Sequence, residues 1–315
     1  MAVLRAAAEL DVVDKPDPSE YLDRMRNADG LVIRLGRCGK NVIDGSPRLR
    51  VIARTGIGYD TVDVAAATAQ GIPVVVTPGA NVHSVAEHAL AMMMALSKNM
   101  VEAHCEMYRD NWEIRNAGKA FELAEKLVGI VGMGPIGKDT AKLCLAVGMR
   151  AAIYDPFFTR EQVEAQGAIW YEKLDDLLRD SDIVSIHMPL VDATRDLITW
   201  RELTKMKKTA LLVNCSRGGI VHEGDLSRAL REGLIAGAGI DVFTQEPPLA
   251  DHPLRNCPNI ILSPHAAAQT REAIVKMGEM CSAGCVAVLN GRKWPHVVDL
   301  RVYEHPIWAG KEWAD

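Results

Sequence analysis

The chain has 315 residues, a length that predicts two domains rather than one. Hydrophobic residues make up 48% and charged residues 24%, as in ordinary globular proteins, which argues against a disordered or fibrous chain. The 36 basic and 41 acidic residues give a formal net charge of −5. Nucleic-acid-binding proteins usually carry a basic excess, so we expect no nucleic-acid partner.

The cysteines and the apolar segments exclude further classes of protein. Seven cysteines are scattered without a CxxC pair: Cys38, Cys105, Cys144, Cys215, Cys257, Cys281 and Cys285. With no signal peptide at the start, they predict reduced thiols in a cytoplasmic protein. No histidine cluster joins them and HExxH is absent, so we expect no metal site. The longest apolar stretch, Ala89–Leu96, is too short for a bilayer, which takes about 20 residues.

Short apolar runs alternate with helical stretches along most of the chain. The first part has predicted strands at Asp11–Val13, Leu31–Arg34, Val51–Arg54 and Pro73–Val76, and predicted helices at Ala2–Glu9, Pro18–Asn27, Lys40–Asp44 and Val62–Gln70. Long predicted helices cover His83–Tyr108 and Gln269–Leu289. A second series of predicted strands covers Leu127–Val131, Ala151–Tyr154, Ile183–Ile186, Ala210–Asn214, Ile235–Ile240 and Ile260–Leu262.

These runs are apolar from end to end, as expected for parallel strands that helices cover on both faces. Their alternation with helices predicts doubly wound α/β domains. Because each long helix could carry the chain between domains, we expect a discontinuous substrate-binding domain of residues 1–81 plus 268–315 and a dinucleotide-binding domain of residues 82–267. The tail Trp294–Asp315 holds three of the six tryptophans and shows no clear periodicity.

The strand Leu127–Val131 leads into the glycines of a GxGxxG motif, and a predicted helix, Lys138–Val147, follows. Gly132 would allow the tight turn, Gly134 would admit a pyrophosphate, and Gly137 would let helix and strand pack closely. The amides at the start of the helix would then face the phosphates. The alternative is an ordinary strand-to-helix turn.

The residues around this motif favour NAD over NADP. Asp155 ends the next strand, 21 residues after Gly134, close to the spacing at which a carboxylate reaches the ribose hydroxyls. A 2′-phosphate would meet a like charge there, and no arginine follows directly. Pro135 fits the first helical turn, although it removes one possible phosphate donor.

Three polar residues follow three successive predicted strands. They are Arg217, Glu246 and His265. Parallel α/β sheets bind ligands at the carboxyl ends of their strands. There an arginine fork could hold a substrate carboxylate, a histidine could exchange a proton near neutral pH, and a glutamate could orient that histidine. Each residue alone could instead form a surface salt bridge, a solvated loop carboxylate or a structural histidine.

Together these motifs resemble the NAD-dependent D-isomer-specific 2-hydroxyacid dehydrogenases. The matching segments are the fingerprint, Val213–Val221, Asp241–Pro247 and Ser263–His265, and the branch that looks most similar is that of the 3-phosphoglycerate dehydrogenases. The resemblance covers roughly residues 20–290. It implies two Rossmann-like domains with a cleft between them, the substrate domain being flavodoxin-like, and usually a homodimer.

The resemblance also implies roles for individual residues. His265 would be the acid/base, Glu246 its partner and Arg217 the substrate clamp beside the nicotinamide. The implied cofactor contacts are Gly132, Gly134, Pro135, Ile136, Gly137, Asp155, Met188, Pro189, Cys215, Arg217, Asp241 and His265. Asp241 would hold the carboxamide.

The first domain offers a candidate carboxylate site. The loop Arg54–Asp60 follows a strand, and its glycines could expose amides that cup a carboxylate; a plain glycine turn is the alternative. The expected substrate contacts are Arg54, Ile57, Gly58, Asn81 and Arg217. Arg34 and Arg54 could together bind a distal phosphate. His83, Glu87 and His88, which follow Asn81, are interpreted as structural.

Three features depart from the family pattern. Leu35 stands where the phosphoglycerate enzymes more often have serine, and Ala267 replaces a glycine often found two residues after the histidine. The helix Ala2–Glu9 opens the chain without the strand that normally comes first, so the recorded start is late or the first sheet is one strand short.

We therefore expect an NAD-dependent oxidoreductase that transfers hydride between NAD and a D-2-hydroxy acid, with 3-phosphoglycerate as the first guess for the substrate. A glyoxylate or hydroxypyruvate reductase is the alternative within the same class. A formate dehydrogenase is disfavoured, because hydride abstraction alone does not require Glu246 as a protonation partner. An NAD-sensing regulator that resembles the C-terminal-binding corepressors is the alternative from another class.

Overall fold

The computed structural model describes residues 2–14, 17–34 and 36–314. It divides into two compact units. Unit 1 consists of Met1–Asn81 and Thr270–Asp315, and unit 2 consists of Val82–Gln269. Leu35, one of the departures from the family pattern, lies outside the described residues.

The chain forms strands and helices in alternation. In chain order the strands are β1 (Gly30–Ile33), β2 (Val51–Arg54), β3 (Val74–Val75), β4 (Leu127–Val131), β5 (Arg150–Tyr154), β6 (Ile169–Trp170), β7 (Ile183–Ile186), β8 (Leu211–Asn214), β9 (Gly237–Ile240) and β10 (Ile260–Leu262). The α-helices are α1 (Ala2–Ala7), α2 (Pro18–Met25), α3 (Lys40–Asp44), α4 (Val64–Ala69), α5 (Val82–Ser97), α6 (Met100–Met107), α7 (Pro135–Ala146), α8 (Arg160–Glu164), α9 (Leu174–Asp180), α10 (Trp200–Leu203), α11 (Glu223–Arg231) and α12 (Arg271–Leu289). Short 3₁₀ helices cover Trp112–Asn116, Pro253–Asn256, Leu300–Glu304 and Pro306–Trp308.

Unit 1 is built on three parallel strands in the order β1-β2-β3. The central strand β2 is buried along its whole length. The prediction of a strand at Asp11–Val13 is wrong, since these residues lie outside any strand. Val12 is 64% exposed, and Val13 packs on the apolar core of this unit without pairing with a strand.

The tryptophan-rich tail completes the core of unit 1. Trp308 is 3% exposed and packs in one apolar cluster with Val51 of β2 and with Cys281 and Cys285 of α12. Its indole nitrogen donates a hydrogen bond of 2.8 Å to the carbonyl oxygen of Gly71. The only helices in the described part of the tail are two short 3₁₀ helices, which explains why the tail shows no helical or strand period.

Unit 2 is a parallel sheet of seven strands in the order β10-β9-β8-β7-β4-β5-β6. The α/β fold with parallel sheets confirms the predicted fold class. β4 is fully buried and lies between β5 and β7, so the direction of winding reverses there. In sheets of this kind the crevice at the carboxyl ends of the strands beside the reversal binds ligands.

Two elements of unit 2 differ from the predictions. The long helix predicted over His83–Tyr108 is two helices, α5 and α6, because Asn99 between them adopts the left-handed conformation with φ of 52°. The edge strand β6 has only two residues, too few to produce a pattern in the sequence. Within the described parts of the chain, every helix is too short or too polar to cross a lipid bilayer.

Candidate active site

The three fingerprint glycines each occupy a position with a different physical constraint. Gly132 has φ of 102°, and a Cβ atom there would lie 2.8 Å from the carbonyl oxygen of His187. A Cβ atom at Gly137 would overlap the carbonyl oxygen of Gly132. At Gly134, in contrast, a Cβ atom would meet nothing within 4 Å. The loop is thus tightly packed on its inner side and open at the position where a phosphate would approach.

The loop leads directly into α7, with Gly134 as the N-cap and Pro135 in the first turn. The backbone amides of Ile136 and Gly137 belong to the first turn of this helix, whose N-terminus favours bound anions. A pyrophosphate therefore fits this position. There is open space at Gly134, and the first amides of a helix have no hydrogen-bond partner within the helix.

Asp155 is held beside the glycine loop. One oxygen of its carboxylate, Oδ2, accepts a hydrogen bond of 2.7 Å from the amide of Met133, and Oδ1 accepts one of 2.9 Å from the amide of Phe157. The carboxylate therefore lies beside the glycine loop, at the end of β5. In this position it can also accept hydrogen bonds from the ribose hydroxyls of the cofactor.

Other expected cofactor contacts lie at the ends of the neighbouring strands. Met188 is 8% exposed and precedes the exposed Pro189 after β7. Cys215 follows β8, and burial and the charge of Asp241 raise the pKa of its thiol. Burial also lowers the pKa of His187 to about 4, so this histidine is neutral at physiological pH. Met188, His187 and Cys215 thus add uncharged groups beside the charged side chains at this end of the sheet.

Glu246 and His265 form a direct hydrogen bond. Oε2 of Glu246 lies 2.7 Å from Nδ1 of His265, and Oε1 accepts a hydrogen bond of 3.1 Å from the amide of Phe243. Burial raises the pKa of Glu246, but the hydrogen bond and charge of His265, the amide of Phe243 and the charge of Arg217 together outweigh it. The net effect is a lowered pKa, and Glu246 is ionised at neutral pH.

The ionised Glu246 determines the tautomer of His265. A carboxylate only accepts hydrogen bonds, so Nδ1 of His265 must carry the proton. In the neutral ring the other nitrogen, Nε2, then has a lone pair that can accept a proton. Among the described residues no hydrogen bond involves Nε2, and the side chain of His265 is 29% exposed.

Arg217 is presented by a turn that Asn214 stabilises. The side chain of Asn214 is buried at the end of β8; its Oδ1 accepts hydrogen bonds from the amide and hydroxyl of Ser216, and its Nδ2 donates to the carbonyl oxygen of Arg217. The guanidinium donates a hydrogen bond of 2.7 Å to the carbonyl oxygen of Ser216. The charge of Arg217 also lowers the pKa of Glu246, as expected for two loops that lie close together.

Gly218 lets the arginine loop approach the glutamate loop. A Cβ atom at this position would overlap the backbone carbonyl of Phe243. The loop of Glu246 is anchored further by Glu223, which accepts hydrogen bonds from the amide of Thr244, at 2.7 Å, and from Nε2 of His252, at 3.0 Å. Together these contacts place Arg217, Glu246 and His265 at the ends of three adjacent parallel strands.

Sequence reasoning missed the residues that support this arrangement. Asn214, Glu223 and His252 were not singled out, although an asparagine that ends a buried apolar strand is a common turn-forming signal. The Glu223–His252 contact joins residues 29 positions apart, and no local pattern in the sequence marks it.

The carboxylate of Asp241 is completely buried in this structure. Its oxygens accept hydrogen bonds from the hydroxyl of Ser263 at 2.5 Å, from the amide of Ala266 at 2.8 Å and from the amide of Ala267 at 3.0 Å. Asp241 therefore holds the loop that carries His265. Its expected contact with the carboxamide stays a prediction.

The expected substrate residues of unit 1 have a more structural setting. Arg54 is 6% exposed; its Nε donates to the carbonyl oxygen of Gly58 at 2.8 Å, and Nη1 donates to the carbonyl oxygen of Arg34. Gly56 has φ of 149°, and Ile57 is 42% exposed. Asn81 is the last residue of this segment of unit 1. Arg54 thus fixes the loop, whereas Ile57 lies at its surface.

The residues that the structure describes include no group of three or more histidine, cysteine, aspartate or glutamate side chains that could hold a metal ion. All seven cysteines are free thiols.

Comparison with known proteins decides the family. Residues 90–267 match the model of the D-isomer specific 2-hydroxyacid dehydrogenase NAD binding domain, which is more than half of the chain. The chain belongs to the D-isomer-specific 2-hydroxyacid dehydrogenase family. It is an NAD-dependent enzyme, and the helix start, the open space at Gly134 and the position of Asp155 fit that cofactor.

The relatives of this dehydrogenase differ in substrate. It is 41% identical over 304 residues to a glyoxylate reductase of Aeropyrum pernix, covering 93% of this chain and 90% of that one. It is 37% identical over 299 residues to a D-3-phosphoglycerate dehydrogenase of Methanocaldococcus jannaschii, covering 95% of this chain but only 57% of the relative. The structure of D-lactate dehydrogenase from Aquifex aeolicus with NAD and lactic acid is similar with a TM-score of 0.80, 28% identity and 87% coverage of both chains.

Asp155 gives a prediction about the cofactor. We expect Asp155→Ala to raise the Kd for NADH about 10- to 100-fold, because hydrogen bonds to a charged group contribute about 1.5–3 kcal/mol. The Kd for NADPH should fall or stay constant, since a repulsive charge is removed. Fluorescence titration of both cofactors measures this, with Asp192→Ala as the control. An unchanged Kd for NADH would contradict the assignment.

Proposed function

We propose that this enzyme exchanges hydride between NAD and a small, unphosphorylated 2-keto or 2-hydroxy acid, with His265 as the acid/base. The observation that carries the proposal is the hydrogen bond of 2.7 Å between Glu246 and Nδ1 of His265, close enough to Arg217 for its charge to act on Glu246. This reaction needs three groups from the protein: a base, a group that orients the base, and a cation that binds the substrate carboxylate.

The side chains divide the work between them. NAD, which the glycine loop and Asp155 would hold, would supply the acceptor or donor of hydride at C4 of its nicotinamide. Arg217 holds the substrate carboxylate through its planar fork of donors. In oxidation, Nε2 of His265 takes the proton of the substrate hydroxyl; in reduction, the protonated ring returns it to the keto oxygen. The ionised Glu246 stabilises the imidazolium through its hydrogen bond with Nδ1.

Two observations favour a small substrate over a phosphorylated one. The distal phosphate site was expected at Arg34 and Arg54, but Arg54 is buried and donates to the carbonyl oxygens of Arg34 and Gly58. The chain also matches the glyoxylate reductase along 90% of that relative's length. We therefore prefer a glyoxylate-like substrate to 3-phosphoglycerate, the first guess from the sequence. Arg217 remains the proposed contact of the substrate carboxylate.

His265 provides the first test of this function. We expect His265→Ala to lower kcat for 2-keto acid reduction at least about 100-fold, since positioned proton transfer contributes about 10²–10⁴ in rate. The Kd for NADH should change little. Stopped-flow or steady-state measurement of NADH oxidation checks this, with His305→Ala in the C-terminal tail as the control. Near-normal turnover of His265→Ala would remove His265 from the mechanism.

The substrate can be tested with the same assay. We expect glyoxylate to give a kcat/KM at least about tenfold higher than 3-phosphohydroxypyruvate, because Arg54, one of the two arginines expected to bind a distal phosphate, is buried and donates to two backbone carbonyl oxygens. Hydroxypyruvate and pyruvate complete the panel. A preference for the phosphorylated compound that disappears in Arg34→Ala would contradict the proposal and restore the phosphoglycerate assignment.

We also propose that the enzyme is a homodimer, as the family resemblance implies, and that α6 forms its interface. No residue of α6 is buried, although the helix and the segment after it carry several large apolar side chains. These are Met100, Val101, Met107, Tyr108 and Trp112, with exposed fractions from 47% to 81%. An apolar surface of this kind is typical of a protein–protein contact, and a second copy offers the same surface in a two-fold arrangement.

Charge placed on this surface should dissociate the dimer. We expect the double variant Val101→Glu, Met107→Glu to sediment as a monomer at micromolar concentration, where the wild type sediments as a dimer. Sedimentation velocity measures the difference, and Leu300→Glu, another exposed position, serves as the control. A dimer in the double variant would place the interface elsewhere.

The seven free thiols support the expected cytoplasmic location, since reducing compartments keep cysteines unpaired.

A further inference from the structure

The backbone of His265 has an unfavourable conformation. Its φ is 50°, in the left-handed region, which is unfavourable for a residue other than glycine and persists only when the surroundings hold it. The amide of His265 donates to the carbonyl oxygen of Asp241 at 2.8 Å and to that of Ser263 at 3.1 Å. The direction of the imidazole therefore depends on how firmly residues 263–267, called the histidine loop here, are fixed.

The buried carboxylate of Asp241 fixes the two residues that follow His265. Oδ1 accepts the amide of Ala266 and Oδ2 accepts the amide of Ala267, while the hydroxyl of Ser263 also donates to Oδ1. One carboxylate thus binds the histidine loop before and after His265. Turning His265 to another backbone conformation would break these hydrogen bonds and leave the fully buried carboxylate of Asp241 without its partners.

His88 from α5 reaches the same cluster. Its Nε2 lies 3.0 Å from the hydroxyl oxygen of Ser263 and 3.6 Å from Oδ1 of Asp241. The single hydroxyl proton of Ser263 is directed to Asp241, because the carboxylate can only accept. Nε2 of His88 must therefore carry a proton and donate to the hydroxyl oxygen of Ser263. The hydrogen bonds therefore run in one direction: His88 donates to Ser263, and Ser263 donates to Asp241.

A second residue of α5 contacts the other end of the histidine loop. Ser84, one helical turn before His88 and on the same face of the helix, donates a hydrogen bond of 2.6 Å to the carbonyl oxygen of Ala267. The helix thus contacts the loop on both sides of His265. His83, on a different face of α5, is 64% exposed and bonds to Asp139 instead.

We propose that His88 is a positioning residue for His265, acting through Ser263 and Asp241. This inference rests on the proposed role of His265, and it replaces the interpretation of His88 as merely structural. Without the His88 donor, the hydroxyl oxygen of Ser263 loses its hydrogen bond from α5, and only the bond to Asp241 then holds this side chain. Asp241 then loses the orientation of one of its donors, and the histidine loop samples conformations in which Nε2 of His265 points away from the substrate.

Four variants test the proposal: His88→Leu, His88→Gln, Ser263→Ala and the double variant His88→Leu, Ser263→Ala. We expect His88→Leu to lower kcat about 10- to 100-fold, as displacements of about 1 Å do, while KM changes less than threefold. His88→Gln should recover most of kcat, because its amide nitrogen can donate to Ser263. Ser263→Ala should resemble His88→Leu, and the double variant should be no slower than either, since both remove one link of the same chain.

The control is His83→Gln on the same helix, which should keep the wild-type kcat. Wild-type kcat in His88→Leu or Ser263→Ala would overturn the proposal. So would a His88→Gln variant as slow as His88→Leu, or a double variant in which the two effects multiply. Ser263→Ala removes one oxygen atom and keeps the test valid if His88→Leu does not fold.

A measurement without turnover separates this inference from the proposed function. In ¹⁵N-histidine-labelled protein, the Nδ1 proton of His265 should exchange slowly in the wild type and in His88→Gln, and rapidly in His88→Leu. Equal exchange rates in all three would overturn the positioning role even if the enzyme reduces 2-keto acids as proposed. Conversely, absence of 2-keto acid reduction by the wild type would overturn the proposed function and leave the positioning result intact.

Discussion

The site depends on one hydrogen bond, from Nδ1 of His265 to the ionised carboxylate of Glu246. The lowered pKa of Glu246 keeps it charged, and that charge decides which ring nitrogen of His265 carries the proton. Nε2 is thereby left as a base in the neutral ring and as a donor in the protonated ring. A protonated glutamate could not fix the tautomer, and the same three side chains would then lack a defined direction for proton transfer.

The fold supplies the positions at which this interaction can form. β8, β9 and β10 are adjacent and parallel, so the loops of Arg217, Glu246 and His265 leave the sheet at one edge. Two of these loops come together only because Gly218 has no side chain. The third is held in a left-handed turn by Asp241. The nucleotide-binding loop leaves the same edge after β4, beside the reversal of strand order.

Much of this could be predicted from the sequence, because the relevant signals are local. The strand before the fingerprint is a run of five apolar residues, and it appears as β4 at Leu127–Val131. The spacing of the fingerprint glycines and the order of the three polar loops can likewise be recognised from the sequence alone. The break between α5 and α6 at Asn99 and the two-residue β6 leave no comparable pattern.

The supporting contacts could not be predicted, because they join residues distant in sequence. Ser263 and His88 are 175 positions apart, and Ala267 and Ser84 are 183 positions apart. Arg54 is a similar case. The sequence shows an arginine that could bind an anion, whereas only the structure shows that its guanidinium donates to two backbone carbonyl oxygens. Residue type therefore predicts which side chains could react, whereas the setting of Arg54 depends on contacts that only the structure shows.

The most direct test of the account is a crystal structure of the enzyme with NAD and oxamate, an unreactive analogue of a small 2-keto acid. We expect Nε2 of His265 at about 2.6–3.2 Å from the amide carbonyl oxygen of oxamate, which stands for the keto oxygen of the substrate, with Glu246 still on Nδ1 and the guanidinium of Arg217 on the carboxylate. An imidazole turned away from the oxamate, or a guanidinium bound elsewhere while the ligand is in place, would contradict the proposed mechanism.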